Sequence, residues 1–475
     1  MATFRKVVFY LLAALYLTGC PLLILYALGY LFQPGAEHQV VKTGLLYVAT
    51  LPPGASVTVG TIPCADRTPT MIRDLLPDEY VVTVTLDGYR PWSRVATIEA
   101  GKSTAFEKVL LLPDTWTPRE LTTEAYEALW SIPGSPWLLL RKGPHLEEYL
   151  VFDPERLVSW PLVSAETPLH DATVRSIRMV EDNPRLVIAL QARDGRHVVW
   201  LEPREQEPLV EDLTNLVGDA ADQMLWDAEA RRYLLTLQHG QLSRVDTETG
   251  TAASQSLGTL RGCGLFRNTL YALREDGVVL RREISGGREE LLLNDPEIAR
   301  SLFRGRGLFQ IQVLSNTLLV FIGERGELLT NRLPYRFVER GVRGTAFDAP
   351  RERLLIWQKG RIGVLDFARA PDDPKIFERG PTLTWVYQHG RDLQQAFWVA
   401  DGSHILFRDR QDLFLLDVDT LGLPPPQHLF EVRGAGGMVY AERSGTIYYL
   451  DRPSGRLCAV ALVPRTPLSQ KADAP

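Results

Sequence analysis

A short apolar strand pattern recurs along the sequence and constrains the fold more than any other feature. Its copies are Trp137–Leu140, Leu186–Leu190, Tyr233–Leu237, Leu270–Leu273, Leu318–Ile322, Leu354–Trp357, Ile405–Phe407 and Ile447–Leu450. They recur at intervals of about 36 to 50 residues, and several are followed by a glycine turn that suits a β-hairpin. This period is typical of four-stranded propeller blades. We therefore predict an all-β propeller over residues 114–463, in which eight blades match the eight copies and seven remain an alternative.

The two ends of this repeat array predict how it closes. The last hairpin is followed by a third strand, Arg456–Leu462, but the tail at 464–475 is polar and proline-rich, and we expect it to be disordered. The missing outer strand of the last blade is then expected to come from Trp116–Leu121, at the other end of the array. Closure would therefore join the beginning and the end of the propeller.

The N-terminus predicts a membrane anchor. Residues 7–32 carry no charged side chain, and this run exceeds the roughly 20 residues that cross a bilayer as a helix. Arg5 and Lys6 precede the run and Glu37 follows it, which favours a cytoplasmic segment at 1–6 and export of the remainder of the chain. We predict a single-pass cell-membrane protein whose partner at 7–32 is the lipid bilayer.

A second hypothesis for the same segment concerns Cys20. The sequence Leu17-Thr18-Gly19-Cys20 resembles the lipobox of bacterial lipoproteins, which would make Cys20 the lipidated first residue after cleavage. However, the apolar run continues past Cys20 and Pro21, whereas the apolar region of a signal peptide spans only about 7 to 15 residues. We favour the uncleaved span and keep lipidation of Cys20 as the alternative.

Between a linker at 33–42 and the repeats, residues 43–113 predict a small antiparallel β-sandwich. Short β-branched runs alternate there with proline, glycine and aspartate turns. The motif residues resemble the PEGA domain: Pro52, Pro53, Gly54, Ala55, Thr68, Pro69, Tyr80, Gly88 and Tyr89. The signature has Glu where this chain has Pro53, and a glycine where it has Asp78. The resemblance implies a non-catalytic extracytoplasmic sandwich, often tethered to bacterial or archaeal membranes.

Some repeats also resemble quinoprotein-like eight-bladed propellers. The segments Leu242–Gly250 and Leu450–Gly455 are similar to their recurrent Asp-x-x-Thr-Gly ending, and a WD40-like relationship stays open. A simpler interpretation is that the aspartate bonds local backbone amides at the turn. The tryptophans of the repeats, and Tyr89 with Trp92 in the sandwich, are interpreted as packing residues in preference to binding platforms.

No sequence motif points to chemistry. The formal charge of −6 and the lack of a basic run argue against a nucleic-acid partner. The four cysteines are far apart, the eight histidines show no metal-ligand spacing, and we predict no catalytic residue, cofactor or metal. The cysteines are interpreted as isolated buried thiols.

These observations favour a non-enzymatic binding or scaffold protein of the bacterial cell envelope. The sandwich would act as a spacer and the propeller as a platform for an unidentified envelope protein or glycan. Two alternatives stay open. One is a propeller enzyme that acts on envelope glycans or has a quinoprotein-like activity, and the other is an envelope-assembly factor.

Overall fold

The computed structural model describes residues 8–13, 15–20, 30–32, 40–180, 183–217, 221–226, 232–293, 303, 307–331, 336–367, 382–400, 402–418, 425–433 and 437–462. The chain divides into two compact units, whose main parts are Met1–Thr117 and Pro118–Arg443. Each unit is described separately below. The tail predicted at 464–475 lies outside the described residues.

The N-terminal part contains helical residues at 8–13 and 15–20. None of the described helices has the length and apolar character needed to cross a membrane. The structure differs from the predicted helix at its C-terminal end, because β1 (Tyr30–Phe32) pairs antiparallel with β2 (Val40–Lys42). Local pairing with the nearby β-branched strand competes with the helix at these three positions. Residues 21–29 lie outside the described residues.

The sandwich of the first unit consists of two sheets. Its strands are β3 (Gly44–Leu51), β4 (Ser56–Val59), β5 (Ile62–Arg67), β6 (Thr70–Leu75), β7 (Asp78–Thr85), β8 (Trp92–Ile98) and β9 (Ser103–Leu110). The four-stranded sheet has the order β5-β4-β7-β8, and the three-stranded sheet has the order β6-β3-β9. The prediction of a wholly antiparallel sandwich is wrong, because β3 and β9 pair in parallel. Parallel pairing joins strands that are far apart in sequence, so no tight-turn motif between them could have predicted it.

The sandwich core forms from alternate residues of these strands. β3 alternates buried and half-buried residues along its length, which is the period expected of a strand with one face on a core. Leu46 and Val48 from β3 and Val82 and Val84 from β7 are fully buried in one apolar cluster. The alternating Val-Thr pattern of β7 therefore specifies which face of the sheet is inside.

The second unit is built from four-stranded sheets. Strand β10 (Arg119–Ala125) comes first in the chain. Seven four-stranded sheets follow, and we number them 1 to 7 in chain order. Sheet 1 contains β11 (Ala128–Ser131), β12 (Leu138–Arg141), β13 (Tyr149–Asp153) and β14 (Val158–Pro161), and sheet 2 contains β15 (Thr173–Val180), β16 (Asn183–Gln191), β17 (Arg196–Glu202) and β18 (Leu209–Asp212). Sheet 3 contains β19 (Gln223–Trp226), β20 (Tyr233–Gln238), β21 (Gln241–Asp246) and β22 (Thr251–Gln255), and sheet 4 contains β23 (Leu260–Phe266), β24 (Thr269–Arg274), β25 (Val279–Glu283) and β26 (Glu290–Leu293). Sheet 5 contains β27 (Phe309–Ser315), β28 (Leu318–Gly323), β29 (Leu328–Thr330) and β30 (Arg336–Glu339), and sheet 6 contains β31 (Gly344–Asp348), β32 (Arg353–Trp357), β33 (Ile362–Asp366) and β34 (Thr382–Tyr387). Sheet 7 contains β35 (Leu393–Val399), β36 (His404–Asp409), β37 (Asp412–Asp417) and β38 (Gln427–Glu431). A 3-10 helix, Leu146–Glu148, precedes β13.

Sheet 8 joins the two ends of the array. It contains β39 (Met438–Ala441), β40 (Thr446–Leu450) and β41 (Arg456–Ala461), with β10 as its outer strand in the order β10-β41-β40-β39. Glu120 of β10 lies opposite Cys458 of β41. The predicted closure by the segment at the start of the array is therefore confirmed, although the strand runs from Arg119 to Ala125 and not over the predicted Trp116–Leu121. The recurrent apolar runs are also confirmed as strands, since each of them coincides with the second strand of one sheet.

Apolar clusters connect successive sheets, as expected of a β-propeller. Leu139 of sheet 1 and Ile188 of sheet 2 belong to one buried cluster, and similar clusters join each following pair up to sheets 6 and 7. Sheets 8 and 1 share another cluster that contains Leu450 and Leu140. Between sheets 7 and 8, the ring centroids of Phe430 and Tyr449 lie 4.9 Å apart. Burial on both faces explains the apolar run in the middle of each second strand, although the fully buried β36 also contains His404, Arg408 and Asp409.

Sheets 4 and 5 approach each other closely at two glycines, which have no side chain. A Cβ on Gly262 would overlap the carbonyl oxygen of Phe309, and a Cβ on Gly264 would overlap that of Ile311. The Gln223 amide from sheet 3 donates to Phe309 O at 2.5 Å and accepts from Cys263 N at 3.0 Å. Three consecutive sheets are therefore connected through one glutamine side chain.

Candidate functional site

Six of the sandwich motif residues lie in two turns that bond with each other, Pro52–Ala55 in one and Thr68 with Pro69 in the other. Gly54 has a positive φ of 94°, and its N–H donates to Thr68 O at 2.8 Å. Pro52 and Pro69 each follow a cis peptide bond. Ala55 is fully buried, and its carbonyl accepts from Thr68 N at 2.9 Å. These contacts join the β3–β4 turn to the β5–β6 turn.

The Thr68 hydroxyl is at the centre of this junction. Its Oγ1 lies 2.6 Å from Oγ1 of Thr50 and accepts from Ala55 N at 2.9 Å. Thr50 Oγ1 also bonds Pro52 O at 2.7 Å. Both threonines are buried, so these bonds replace water for groups that would otherwise be left unsatisfied.

The other motif residues pack into the same sandwich. Tyr80 and Tyr89 lie half-buried against the apolar cluster, as does Trp92, whose ring meets Phe106 edge-on at 5.1 Å. Gly88 has a φ of 76°, a conformation that suits glycine in the turn before Tyr89. The packing interpretation of Tyr89 and Trp92 agrees with these contacts.

The tryptophans of the propeller also pack between sheets. Trp200 and Trp226 are buried and meet edge-on, with ring centroids 6.1 Å apart. Five other tryptophans of the repeats are half-buried against apolar clusters: Trp130, Trp160, Trp357, Trp385 and Trp398. Their large apolar rings fill the spaces between blades, as predicted.

The cysteines do not form a reactive group. All four are free thiols, and the prediction that they are buried is confirmed for Cys263 and Cys458 but is wrong for Cys20 and Cys64, which are half-buried. Burial raises the pKa of Cys263 to about 12 and that of Cys458 to about 11. Because the thiolate is the nucleophile, both buried thiols are unreactive at neutral pH. In the described parts of the chain, no group of three or more His, Cys, Asp or Glu side chains is placed to hold a metal ion.

The aspartates of the quinoprotein-like endings have structural partners. Asp246 Oδ1 accepts from the backbone N–H groups of Glu248 and Thr249, and Asp451 Oδ2 accepts from Ser454 N at 3.1 Å. Hydrogen bonds from Arg232 lower the pKa of Asp246 to about 2. Turn formation and ion pairing account for these residues, which agrees with the simpler interpretation.

The candidate interaction site is a groove of about 850 Å³ at the edge of sheets 1 and 2. One wall is the β14–β15 loop at 164–168, and the other is the β17–β18 segment at 204–210. Both walls are polar and largely exposed, which is typical of the rim of a protein-binding surface. We call this feature the loop groove.

Internal bonds hold both walls of the loop groove. Thr167 N donates to Ser164 O at 3.0 Å, and the two hydroxyls lie 3.1 Å apart. On the other wall, Pro203 and Pro208 fix two backbone φ angles at the ends of the exposed segment. Arg204 bonds Glu202 at 3.1 Å. A surface held in this way loses little conformational entropy when a partner binds.

The charges of the loop groove favour a basic partner. Arg204 and Glu205 are both engaged in ion pairs, with Glu202 and Arg156 respectively. Glu166 and Glu207 are exposed, and no hydrogen bond or ion pair involves them among the described residues. Two carboxylates therefore remain available to a lysine or arginine of a binding segment. No sequence pattern predicted this site, although the charged run between two prolines, Pro203–Pro208, is its one local signal.

Comparison with known proteins gives structural matches to propellers and a family match to the sandwich. Curated protein sequences give no match to the chain. Among solved structures, the β-propeller domain of Cps50 (Swd1) from Myceliophteria thermophila is 12% identical, with a TM-score of 0.37, and covers 72% of this chain and 98% of that one. The computationally designed Ika8 protein is 14% identical, with a TM-score of 0.45 and coverage of 72% and 99%. The Dos1 propeller is 12% identical, with a TM-score of 0.46 and coverage of 73% and 94%.

The propeller assignment itself rests on the sheet order and inter-sheet packing given above. For the sandwich, a family model supplies direct support. Residues 43–111 of this chain match the model of the PEGA domain.

Proposed function

We propose that the protein is a non-enzymatic, membrane-anchored scaffold of the bacterial cell envelope. In this proposal the sandwich acts as a spacer, and the propeller binds a protein partner through the loop groove. The resemblance of residues 43–111 to PEGA domains supports an extracytoplasmic location. The single observation that carries the binding function is the loop groove, an open cleft whose walls are ordered and whose two carboxylates have no described partner.

An eight-bladed propeller is part of this proposal. Sheets 1 to 8 each contain four strands, and β10 completes the last sheet from the opposite end of the array. Contacts between every consecutive pair, including sheets 8 and 1, support a closed ring of eight blades. A closed ring leaves its loops as rigid platforms for recognition.

Membrane anchoring through residues 7–32 is also proposed. Large apolar side chains of the described helical residues are exposed, with Phe9 at 68%, Tyr16 at 71% and Leu17 at 72% of their full accessibility. Exposed apolar side chains on consecutive turns are costly in water and favourable in a bilayer. The positive charges at Arg5 and Lys6 support a cytoplasmic N-terminus.

The test of the binding function is site-specific photocrosslinking of the full chain in the native envelope. A photoreactive amino acid replaces exposed Gln206 in the β17–β18 loop, and a matched control replaces exposed Ser285 in the β25–β26 loop. Both loops connect the third and fourth strands of a sheet. We expect a discrete protein adduct from position 206 that is absent from position 285.

Charge reversal then tests the role of the carboxylates. Glu166→Lys combined with Glu207→Lys should reduce the adduct by roughly tenfold or more, because like charges across an interface cost several kcal/mol. Circular dichroism melting should be unchanged, since both side chains are exposed. The same adducts from both positions, no adduct at all, or an adduct that survives charge reversal would contradict the proposal.

A further inference from the structure

A second cleft lies between sheets 1 and 2, and its lining differs from that of the loop groove. It has a volume of about 350 Å³ and is bounded by Trp130, Arg141 and Tyr149 on one side and by residues 174–179 of β15 on the other. This volume lies within the range of small-molecule sites. We call it the arginine cleft.

One wall of the arginine cleft is apolar and aromatic. The rings of Trp130 and Tyr149 stack with an interplanar angle of 16° and centroids 6.4 Å apart. Val174 and Ile177 contribute aliphatic surface from β15 and pack on the same core cluster. An aromatic ring or a branched aliphatic group would find matching surface here.

Two guanidinium groups border this apolar wall. The Arg141 guanidinium lies over the Trp130 ring at 5.8 Å, and its Nη2 is 3.3 Å from the Glu127 carboxylate. Its Nε is buried and makes no hydrogen bond in the part of the chain that the structure describes. Arg175 is exposed and makes no described hydrogen bond or ion pair. At least one complete guanidinium group is therefore available to a ligand.

The backbone of β15 places Arg175 in the lining of the arginine cleft. The register of β15 with β16 shifts between Val174 and Ser176, so Arg175 is the extra residue of a β-bulge. A bulge changes the direction of its side chain relative to the regular strand and is frequent beside functional sites. The regular alternation of side chains along a strand would not predict the direction of the Arg175 side chain.

We propose that the arginine cleft binds a carboxylate attached to an apolar or aromatic body. A guanidinium matches the two oxygens of a carboxylate with parallel N–H donors, and Arg175 carries one in the cleft lining that makes no described hydrogen bond or ion pair. The stacked rings and aliphatic side chains receive the apolar body. The ligand is either a free small acid or the C-terminal carboxylate of a peptide that ends in an apolar residue. This inference is independent of the loop groove and of the proposed scaffold function.

The test measures binding to the full chain with three probes. These are 4-phenylbutyrate, the peptide Ala-Ala-Phe with a free C-terminus, and the same peptide with a C-terminal amide, each titrated by ligand-observed NMR. Binding of 4-phenylbutyrate alone identifies a small-acid site, and binding of the free peptide alone identifies a peptide C-terminus. Binding of both assigns the shared carboxylate chemistry. Equal binding of the amide, or no binding of either acid, overturns the proposal.

Substitution of Arg175 connects binding to the cleft. Arg175→Gln should raise Kd by roughly tenfold or more, because a charged hydrogen-bond pair is lost. Arg175→Lys should give an intermediate Kd, since it keeps the charge without the paired donors. Arg193→Gln is the matched control, because Arg193 is exposed in the β16–β17 hairpin of the same sheet and should leave Kd within twofold. An unchanged Kd in Arg175→Gln, or an equal loss in the control, overturns the assignment.

Discussion

At the scale of single residues, the small hydroxyl side chain of Thr68 has a larger structural role than its size suggests. Its Oγ1 contacts Thr50 and satisfies the N–H of Ala55, and its backbone pairs with Gly54 and Ala55. The proline and glycine residues of the signature set the backbone course of the turn, but the hydroxyl connects it to a second turn. The sequence resemblance indicated both halves of the motif without indicating this bond.

Replacing Thr68 by valine tests that connection. Thr68→Val keeps the shape but leaves the buried Ala55 N–H without its hydroxyl acceptor, which should cost about 1–3 kcal/mol. Urea denaturation of the full chain should show a lower first transition, and hydrogen exchange should increase in peptides that cover residues 50–70. Thr97→Val is the control, since Thr97 is exposed on β8 and its substitution should change stability by less than about 0.5 kcal/mol. Equal effects of the two substitutions would argue against the hydroxyl network.

At the scale of elements, the propeller depends on contacts between strands that are distant in sequence. Strand β10 pairs with β41, although more than three hundred residues separate Glu120 from Cys458. The neighbouring strands β23 and β27 touch through backbone atoms because Gly262 and Gly264 have no side chain. The pairing of β10 with β41 and the approach of β23 to β27 are therefore both sensitive to substitutions in a few residues.

The glycine contact leads to a specific prediction. Gly262→Ala should destabilise the second unit by about 1–3 kcal/mol or more, because the new Cβ overlaps the Phe309 carbonyl and one of the two strands must shift. Thermal unfolding followed by tryptophan fluorescence measures the change. The control is Gly250→Asn, at a turn with φ of 63° and no atom within 4 Å of a new Cβ. Asparagine tolerates this conformation, so a loss as large as that of Gly262→Ala would refute the steric explanation.

The closing strand leads to a second prediction at this scale. Replacing residues 119–124 by a Gly/Ser sequence of equal length should lower the melting temperature of the second unit by about 5–10 °C, because a closure worth several kcal/mol is removed. The same replacement of residues 251–255 is the control, since β22 is the outer strand of an internal sheet. Differential scanning calorimetry compares the two variants. A melting temperature that does not change in the β10 variant would remove closure as a source of stability.

At the scale of the whole molecule, two separately built units follow an apolar N-terminus. The sandwich and the propeller each have their own apolar clusters. In the proposed function the first of these units is the spacer and the second is the recognition platform.

The anchor can be tested on the whole chain. Deleting residues 1–32 should move the protein from the membrane fraction, where it resists carbonate extraction, to the soluble fraction, because the apolar segment supplies the affinity for the bilayer. Cys20→Ser should leave both the membrane association and the mass of the protein unchanged if the segment is an uncleaved span. A change of mass and loss of membrane association in Cys20→Ser would support the lipoprotein alternative. Extraction of the wild-type chain by carbonate would contradict anchoring by a span.

The parts of the fold that depend on local pattern could be predicted from the sequence. The eight apolar runs lie in the second strands of eight sheets, because a strand buried on both faces favours a continuous apolar run. The strands β5 and β6 of the sandwich are not among the predicted β-branched runs, since β5 is almost entirely exposed and β6 is exposed at half of its positions. The loop groove was missed for a related reason, because its two walls come from loops separated in sequence and meet only when sheets 1 and 2 pack together.

Residue spacing and local backbone preference were enough to predict the all-β class, the period of the repeats and the PEGA-like turn chemistry. The origin of the closing strand was inferred only because the last blade lacked an outer strand, since its partner is more than three hundred residues away. The parallel pairing of β3 with β9, the approach of β23 to β27 and the bulge at Arg175 become visible only in the folded chain. These features depend on contacts between distant strands, and the energy of such contacts is not encoded in any short stretch of sequence.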